Sequence, residues 1–514
     1  LRVRPGTDGA LALGIAGVMI DEGWFDRDFI REWSNGPLLV RDDTGEFLGA
    51  ADISQAGGEG QRVAWDESSG SPVLYDLSTG IYEQSGADFA LSGRYEVAGV
   101  SCRPAFDLYA GLCRQFPPER VEEITWVPAP QLRATAQLLG NSGPASLSSW
   151  AGIEQHSNAS QTSRAVALLY ALTGSFDAKG GNVIFDTVPL GDVVGADLMP
   201  AAQWDKALGA DARPLGPGAT GNITAEAFYQ VVLDHAPYPV KGLVNFGPNL
   251  LLSHADGGRG AEALDALEFM VHADLFMTPT TTHADIVLPV NTAWEREGLR
   301  ANFAVSQAAA GHVQLRPAVI EPRGESRSDA SIAFALADRL GFGDDFWNGD
   351  RDAGYRARLA PSGIDLDDLR GRSDGITVPL ETRYRKYADG GGSATPSCKV
   401  EIYSQIFLDL GYAAVPDYVE PAMGPLSRPD LVDGFPLVLS SAKSPHYLQS
   451  QLRGVAALRR IEPEPRVELH PDTAAARNIE DGTWVMVTTP HGRMRATADF
   501  SGRLDPRVVV ASHG

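Results

Sequence analysis

The sequence predicts an α/β protein: parallel-sheet, Rossmann-like domains around a ligand crevice, then a C-terminal β-barrel, with the chain truncated at both ends. Three observations predict it. Between residues 242 and 341 short apolar runs alternate with helix-length segments, the order that builds a parallel sheet covered by helices. From "FPLVLSS" (435–441) the texture changes to short β-like runs, "WVMVTTP", "MRATADF" and "RVVVAS", joined by tight turns such as His491-Gly492, as in a barrel. The chain has 514 residues, 43% of them hydrophobic, which is room for roughly three domains.

The elements follow in order. "GTDGALALGIAGVMIDEG" (6–23) begins with turn formers and continues with apolar residues at helical spacing, so Asp8 is expected to cap a helix carrying Leu11, Ile15, Val18 and Met19. "WFDRDFIREW" continues as a second amphipathic helix. Residues 35 to about 95 are rich in Gly, Ser and Asp, with short β-like pieces, and are expected to be irregular surface structure or an insertion. A helical stretch is expected near 104–140. A loop rich in hydrogen-bonding side chains, 139–161, leads into the helix "TSRAVALLYALTG", which the glycines of "DAKGGN" are expected to close. Then come the strand "GLVNFG", the helix "AEALDALEFM", the strands "VHADLF" and "ADIVLP", and the helix 328–341 with a Ser or Asp cap. The resulting division is 1–140, a partial α/β domain with an insertion; 141–345, the Rossmann-like domain; 346–430, a connecting segment; and 431–514, the barrel.

Charge and cysteine content narrow the function. Lys+Arg is 43 and Asp+Glu is 66, a net charge of −23, which disfavours nucleic acid and anionic membranes as partners. Cys102, Cys113 and Cys398 are an odd number and too widely spaced for a metal knuckle or a disulfide framework. No window reaches the ~18 apolar residues of a membrane helix. The chain opens at Leu1 in mid-pattern and closes just after a strand, so it is read as an internal fragment. Its compartment stays open, with the cytoplasm favoured.

In open parallel sheets ligands bind at the carboxyl ends of the strands. Here "LVNFGPN" ends in Gly247-Pro248-Asn249, "MVHAD" in Asp274, and "ADIVLP" leads to Asn291, Glu295 and Glu297. A carboxylate accepts two parallel hydrogen bonds from a guanine edge or a ribose diol, and an asparagine meets phosphate oxygens. Neither GxGxxG after a strand nor GxxxxGK[ST] occurs, so an ordinary dinucleotide or P-loop site is not expected. Pro289 stops its strand, and Glu295 to Glu297 are expected to form structural ion pairs.

Five segments, in order, resemble the molybdopterin oxidoreductases of the dimethyl-sulfoxide-reductase superfamily. They are "RPGTDGALALGIAGVMIDEGWFDRDFI" (4–30), "WAGIEQHSNASQTSRAVALLYALTGSFDAKGGN" (150–182), "VNFGPNLLLSHAD" (244–256), "TPTTTHADIVLPVNTAWEREG" (278–298) and the stretch 437–500. In the third, proline and asparagine stand in swapped order. The resemblance implies two α/β domains, a double-psi-type barrel and a bis(molybdopterin guanine dinucleotide) cofactor carrying molybdenum or tungsten. It implies that Gly6, Thr7 and Asp8 contact one dinucleotide. Gln155 would reach the pterin or metal pocket, with His156 beside it. Asn249, Asp274 and Asp329 would bind guanine, ribose or phosphate, and Ser440, Ser441, Lys443, His446, Gln449 and Ser450 would hold the other pterin. The family's metal ligand and its [4Fe–4S] motif belong upstream of the "GTD" segment, so no metal ligand is expected in this stretch.

The implied function is a two-electron oxidation or reduction of a small substrate by oxo, hydride or sulfur transfer. His156 is a candidate proton shuttle, and an iron–sulfur electron-transfer subunit is a candidate partner. Two alternatives stand beside it: a non-redox, acetylene-hydratase-like hydratase with the same cofactor, and a partner subunit with neither cofactor nor catalysis. The substrate is not legible.

Overall fold

A computed structural model describes residues 1–54, 57–149, 151–390 and 392–513. The fold is mixed α/β and forms two compact units. The first comprises 1–184, 383–442 and 464–512; the second comprises 185–382 and 443–463 with the extreme C-terminus.

The first unit is organised around the helix Asp8–Asp21, which is buried on every side from Gly9 to Ile20. The sequence suggested an amphipathic helix. A helix apolar all round belongs inside, and here glycines let neighbours approach it. A Cβ at Gly14 would lie 2.6 Å from Val121 Cγ2, and one at Gly17 would lie 3.0 Å from the Cys113 carbonyl oxygen. Asp8 is not the cap. Thr7 holds that position, and its hydroxyl donates 2.7 Å to the Arg4 carbonyl instead of accepting from the helix. Asp8 is the first helical residue, where its charge still favours the helix dipole.

The short β-like pieces of the stretch expected to be irregular or an insertion pair into ordered sheets. Strands β1 (Leu39–Arg41), β2 (Gln61–Asp66), β3 (Ser71–Asp76), β4 (Ile81–Tyr82), β5 (Tyr95–Val97) and β6 (Val100–Pro104) make two antiparallel three-stranded sheets, ordered β1-β6-β5 and β2-β3-β4. Leu38, Ala64, Val73, Tyr75 and Phe89 form a small core there. The turns 66–70 and 76–80 supply the polar composition that masked these strands, and each ends in a left-handed glycine, Gly70 or Gly80. The expected helical stretch is three helices, Ala105–Cys113, Pro118–Thr125 and Ala129–Asn141. Prolines 117, 118, 128 and 130 fix the breaks, since proline suits a first turn and disrupts a helix interior. The helix Ala159–Leu172 stops at Gly174 (φ +60°), before the glycines expected to end it.

In the second unit β7 (Gly242–Phe246), β8 (Phe269–Asp274) and β9 (Ile286–Pro289) form a parallel sheet in that order. Helices Ala225–Asp234 and Gly257–Asp265 pack on each other through Tyr229, Val232 and Ala263. The sheet is not covered on both faces as expected: Val244, Phe269 and Ile286 are 47%, 47% and 44% exposed. Strands β10 (Gly298–Arg300), β11 (His312–Arg316) and β12 (Ile376–Thr377) form an antiparallel sheet over a core of Val313, Leu315, Leu359, Leu366 and Leu369. The helix Asp329–Arg339 carries the expected serine cap, the Ser328 hydroxyl accepting from the Ser331 N–H at 3.2 Å.

The C-terminal sheet runs β13-β17-β14-β16-β15, with β13 (Val438–Lys443), β14 (Arg466–Leu469), β15 (Trp484–Thr489), β16 (Gly492–Phe500) and β17 (Val508–His513). Only β14 and β16 pair in parallel among the pairings described. An apolar cavity of about 770 Å³, lined by Leu437, Leu469, Val487 and Val509, opens on one face. Among the described residues no helix is long and apolar enough to cross a membrane.

Candidate functional site

The candidate residues fall into three groups. In the first unit the loop 4–8 is clamped from beneath. Arg4 is 1% exposed and its guanidinium binds both oxygens of Glu420, at 2.7 and 2.6 Å. Its Nε donates 2.6 Å to the Ile124 carbonyl. This holds Gly6 in a left-handed turn (φ +83°), where a Cβ would lie 2.9 Å from Pro421 Cγ and 3.4 Å from His156 Nδ1. Gly6, Thr7, Asp8 and His156 are therefore neighbours. Burial pushes the Asp8 carboxyl up. Its own backbone N–H and the charge of His156 pull it down.

Gln155 and His156 are exposed, on the turn between a short helix, Ala151–Glu154, and the helix Ala159–Leu172. That turn is anchored: Asn158 takes a left-handed conformation and donates 3.1 Å to the Asp417 carbonyl, and Gln161 donates 2.9 Å to that of Ala413. Trp150, at the head of this segment, lies outside the described residues.

The second group sits at the carboxyl ends of β7, β8 and β9. Asn249 is 6% exposed, and its Oδ1 accepts from the Thr280 hydroxyl at 2.9 Å. Asp274 ends β8, its Oδ1 accepting from the Phe276 N–H at 3.1 Å. Behind it lies His272, fully buried, with Nε2 3.3 Å from Asp274 Oδ2 and 3.2 Å from Asn245 Nδ2. Burial pushes the His272 imidazole down, while Asp274 and the Thr280 backbone work against this. His272 Nδ1 and Asn291 Oδ1 are buried without a hydrogen-bond partner. Asp329 does not share these contacts. It opens its helix and forms an ion pair with Arg296. Glu295 closes a capping box with Thr292 and accepts from the Arg323 N–H at 2.9 Å, and Glu297 pairs with Arg370 at 2.8 Å, so the acidic run there is structural.

In the third group Ser440 and Ser441 lie on β13, an outer strand of its sheet, and Lys443 ends that strand with its side chain exposed. His446 Nδ1 lies 3.1 Å from Glu462 Oε2, which also accepts from Ser444 at 2.5 Å. Gln449 is left-handed (φ +51°), and Gln449 and Ser450 are half-buried.

Asn245, His272, Thr280 and Glu462 were missed from sequence. Asn245 and His272 stand inside apolar strand text, and a polar residue at such a position is the signal that marks them. Among the described residues no three His, Cys, Asp or Glu side chains converge as a metal site.

Comparison with known proteins defines the class. The molybdopterin oxidoreductase family model matches residues 1–339, and the molybdopterin dinucleotide binding domain model matches residues 437–514. The chain belongs to the molybdopterin oxidoreductase family. It is 28% identical to the acetylene hydratase of Syntrophotalea acetylenica over 428 residues, covering 78% of this chain and 58% of that protein. It is 25% identical to the dimethyl sulfoxide reductase DmsA of Haemophilus influenzae over 553 residues, covering 100% of this chain and 60% of that protein. Its fold matches the solved acetylene hydratase from Pelobacter acetylenicus with a TM-score of 0.77 at 24% identity, covering all of this chain and 64% of that one. The chain thus spans about three-fifths of the length of these relatives. The relatives are enzymes, and the dinucleotide-binding domain identifies a molybdopterin cofactor.

Proposed function

We propose that this chain forms the cofactor-holding part of a bis(molybdopterin guanine dinucleotide) oxidoreductase that carries molybdenum or tungsten and acts on a small substrate. The observation that carries the reading is Asn291 Oδ1, a buried acceptor without a hydrogen-bond partner just past the end of β9, together with the Asp274 carboxylate at the end of β8. Buried polar atoms are rarely left unmatched, and a polar ligand at the carboxyl end of a parallel sheet matches them. The donor set fits the group: carboxylates suit a guanine edge or a ribose diol, and amides suit phosphate.

In this reading Asn249, Asp274 and Asp329 hold guanine, ribose or phosphate of one dinucleotide. Gly6, Thr7 and Asp8 contact a dinucleotide from the buried loop, and Gln155 reaches the pterin. Ser440, Ser441, Lys443, His446, Gln449 and Ser450 hold the other pterin. When bound, the group supplies two-electron chemistry at its metal. His156, exposed beside Asp8, takes up or releases a proton at its imidazole. An electron-transfer subunit with iron–sulfur clusters serves as redox partner.

The likeness to acetylene hydratases favours a second reading, addition of water with no net redox change on the same cofactor. One experiment addresses both. The protein purified from its host is analysed for metal and pterin, then assayed with and without an artificial electron carrier. Molybdenum or tungsten with two pterins per metal supports the cofactor. Turnover that requires the carrier supports the oxidoreductase, and carrier-independent hydration supports the second reading. Active protein with neither metal refutes both.

A further inference from the structure

The segment 444–462 is closed on itself by Glu462, and each hydrogen bond of that closure has a donor and an acceptor. Glu462 Oε2 accepts from the Ser444 hydroxyl at 2.5 Å and faces His446 Nδ1 at 3.1 Å. A carboxylate only accepts, so the proton of the second contact sits on Nδ1. The His446 backbone N–H donates 3.0 Å to the Ser444 side-chain oxygen, which tethers the histidine at its main chain as well. Glu462 is itself held in place. It is 9% exposed, and the hydroxyl of the buried Tyr447 donates 2.7 Å to its carbonyl. In a neutral imidazole protonated at Nδ1, the lone pair is on Nε2. Among the described residues none hydrogen-bonds Nε2, and the His446 side chain is 33% exposed. The ring is thus fixed at one nitrogen and open at the other.

We infer that Glu462 is a positioning residue: it fixes the His446 ring with its proton on Nδ1, and so presents Nε2 as a hydrogen-bond acceptor for an N–H of the bound pterin. The inference rests on the proposed role of His446 as a pterin contact. A phosphate offers this nitrogen only acceptor oxygens, whereas a pterin carries N–H groups, so the tautomer selects which part of the cofactor the histidine meets. Without the carboxylate the ring is free to turn and to take its proton on either nitrogen, and the acceptor is lost for part of the time. Ser444 supports the arrangement by occupying the same carboxylate oxygen, which keeps Glu462 turned toward the ring.

The test uses protein purified from its own host and follows the rate at which pterin is released in mild denaturant, read by the fluorescence of the oxidised pterin. Glu462→Leu is expected to release pterin about fivefold faster than wild type, the worth of one hydrogen bond. Glu462→Gln, whose side-chain oxygen can accept the same two bonds, is expected to stay within about twofold of wild type. The decisive comparison places Glu462→Leu in a His446→Phe background, where a residue that acts through His446 has nothing left to position and adds no further acceleration. An equal acceleration in both backgrounds overturns the positioning role and makes Glu462 a structural staple. A His446→Phe protein that releases pterin at the wild-type rate overturns the His446 contact and the inference with it, and leaves the nucleotide contact of Asp274 standing. A wild type that holds no pterin overturns the proposed function itself, and the inference with it. Should Glu462→Leu fail to fold, the ¹⁵N shifts of His446 in the wild-type protein at pH 8 decide. A ring protonated at Nδ1 and bare at Nε2 supports the inference, and an Nε2–H tautomer overturns it.

Discussion

Arg4 and Glu420 stand 416 residues apart in sequence and form a two-point ion pair in which the arginine is almost wholly buried. The pair ties the loop carrying Gly6, Thr7 and Asp8 to the segment carrying Pro421, and Tyr418 adds a hydroxyl donated to Glu420 at 2.5 Å. Glu420→Gln removes the countercharge from a guanidinium that has no water to turn to. Breaking a buried pair from one side costs about 3–5 kcal/mol. A lower denaturant midpoint with an unchanged slope is the expected result. A midpoint equal to that of the wild type would mean the pair is not buried in solution.

Lys399 gives a pH signature. The residue is 6% exposed, and its ammonium lies 5.3 to 5.5 Å from the rings of Trp33, Tyr75 and Tyr82 and donates 2.5 Å to the Glu32 carbonyl. Burial pushes its pKa down from 10.5 to about 8, against the pull of Glu32 and Cys398. Below pH 8 both folded and unfolded chains carry the proton, and the burial cost is fully present. Between about 8 and 10.5 only the unfolded chain holds it, so this residue's contribution to stability rises with pH. The rise amounts to roughly 3 kcal/mol. Lys399→Met is expected to be more stable than wild type at pH 7, with the difference shrinking by pH 10. A difference that stays constant across that range would contradict the shift.

Thiol labelling separates the cysteines. Cys102 and Cys113 are buried, and burial raises their thiols to about 11 and about 12. The thiolate is the reactive form, so neither is reactive near neutrality. Iodoacetamide at pH 8 is expected to modify no cysteine but Cys398 in the folded chain and all three in denaturant, as counted by mass spectrometry. Rapid labelling of Cys113 in native buffer would contradict the packing around the Asp8–Asp21 helix.

What was legible in the sequence was the part written locally. Apolar runs of four to six residues gave β7, β8 and β9, and their polar tips gave Asn249 and Asp274. Ser328 ahead of an apolar-periodic run gave a capped helix. What was not legible depends on distant partners. Thr7, not Asp8, occupies the cap because Arg4 is held by Glu420 and sets the turn at Gly6. His272 reads as one more strand residue until β7 places Asn245 opposite it. The sheets of residues 39–104 were obscured by turn residues that outnumber their short strands. The breaks among the helices of 105–141 were in plain view as prolines, and a stricter reading of them would have split that stretch.

The most direct measurement is the guanine nucleotide content of the protein purified from its own host, as wild type and as Asp274→Ala. Acid hydrolysis of the wild type is expected to release GMP together with oxidised pterin. Asp274→Ala leaves guanine donors unpaired at a cost of about 1–3 kcal/mol, so its retained GMP should fall several-fold. Equal release of pterin and GMP from wild type and Asp274→Ala would contradict the placement of the nucleotide at the strand ends, and wild-type protein that releases neither would contradict the cofactor itself.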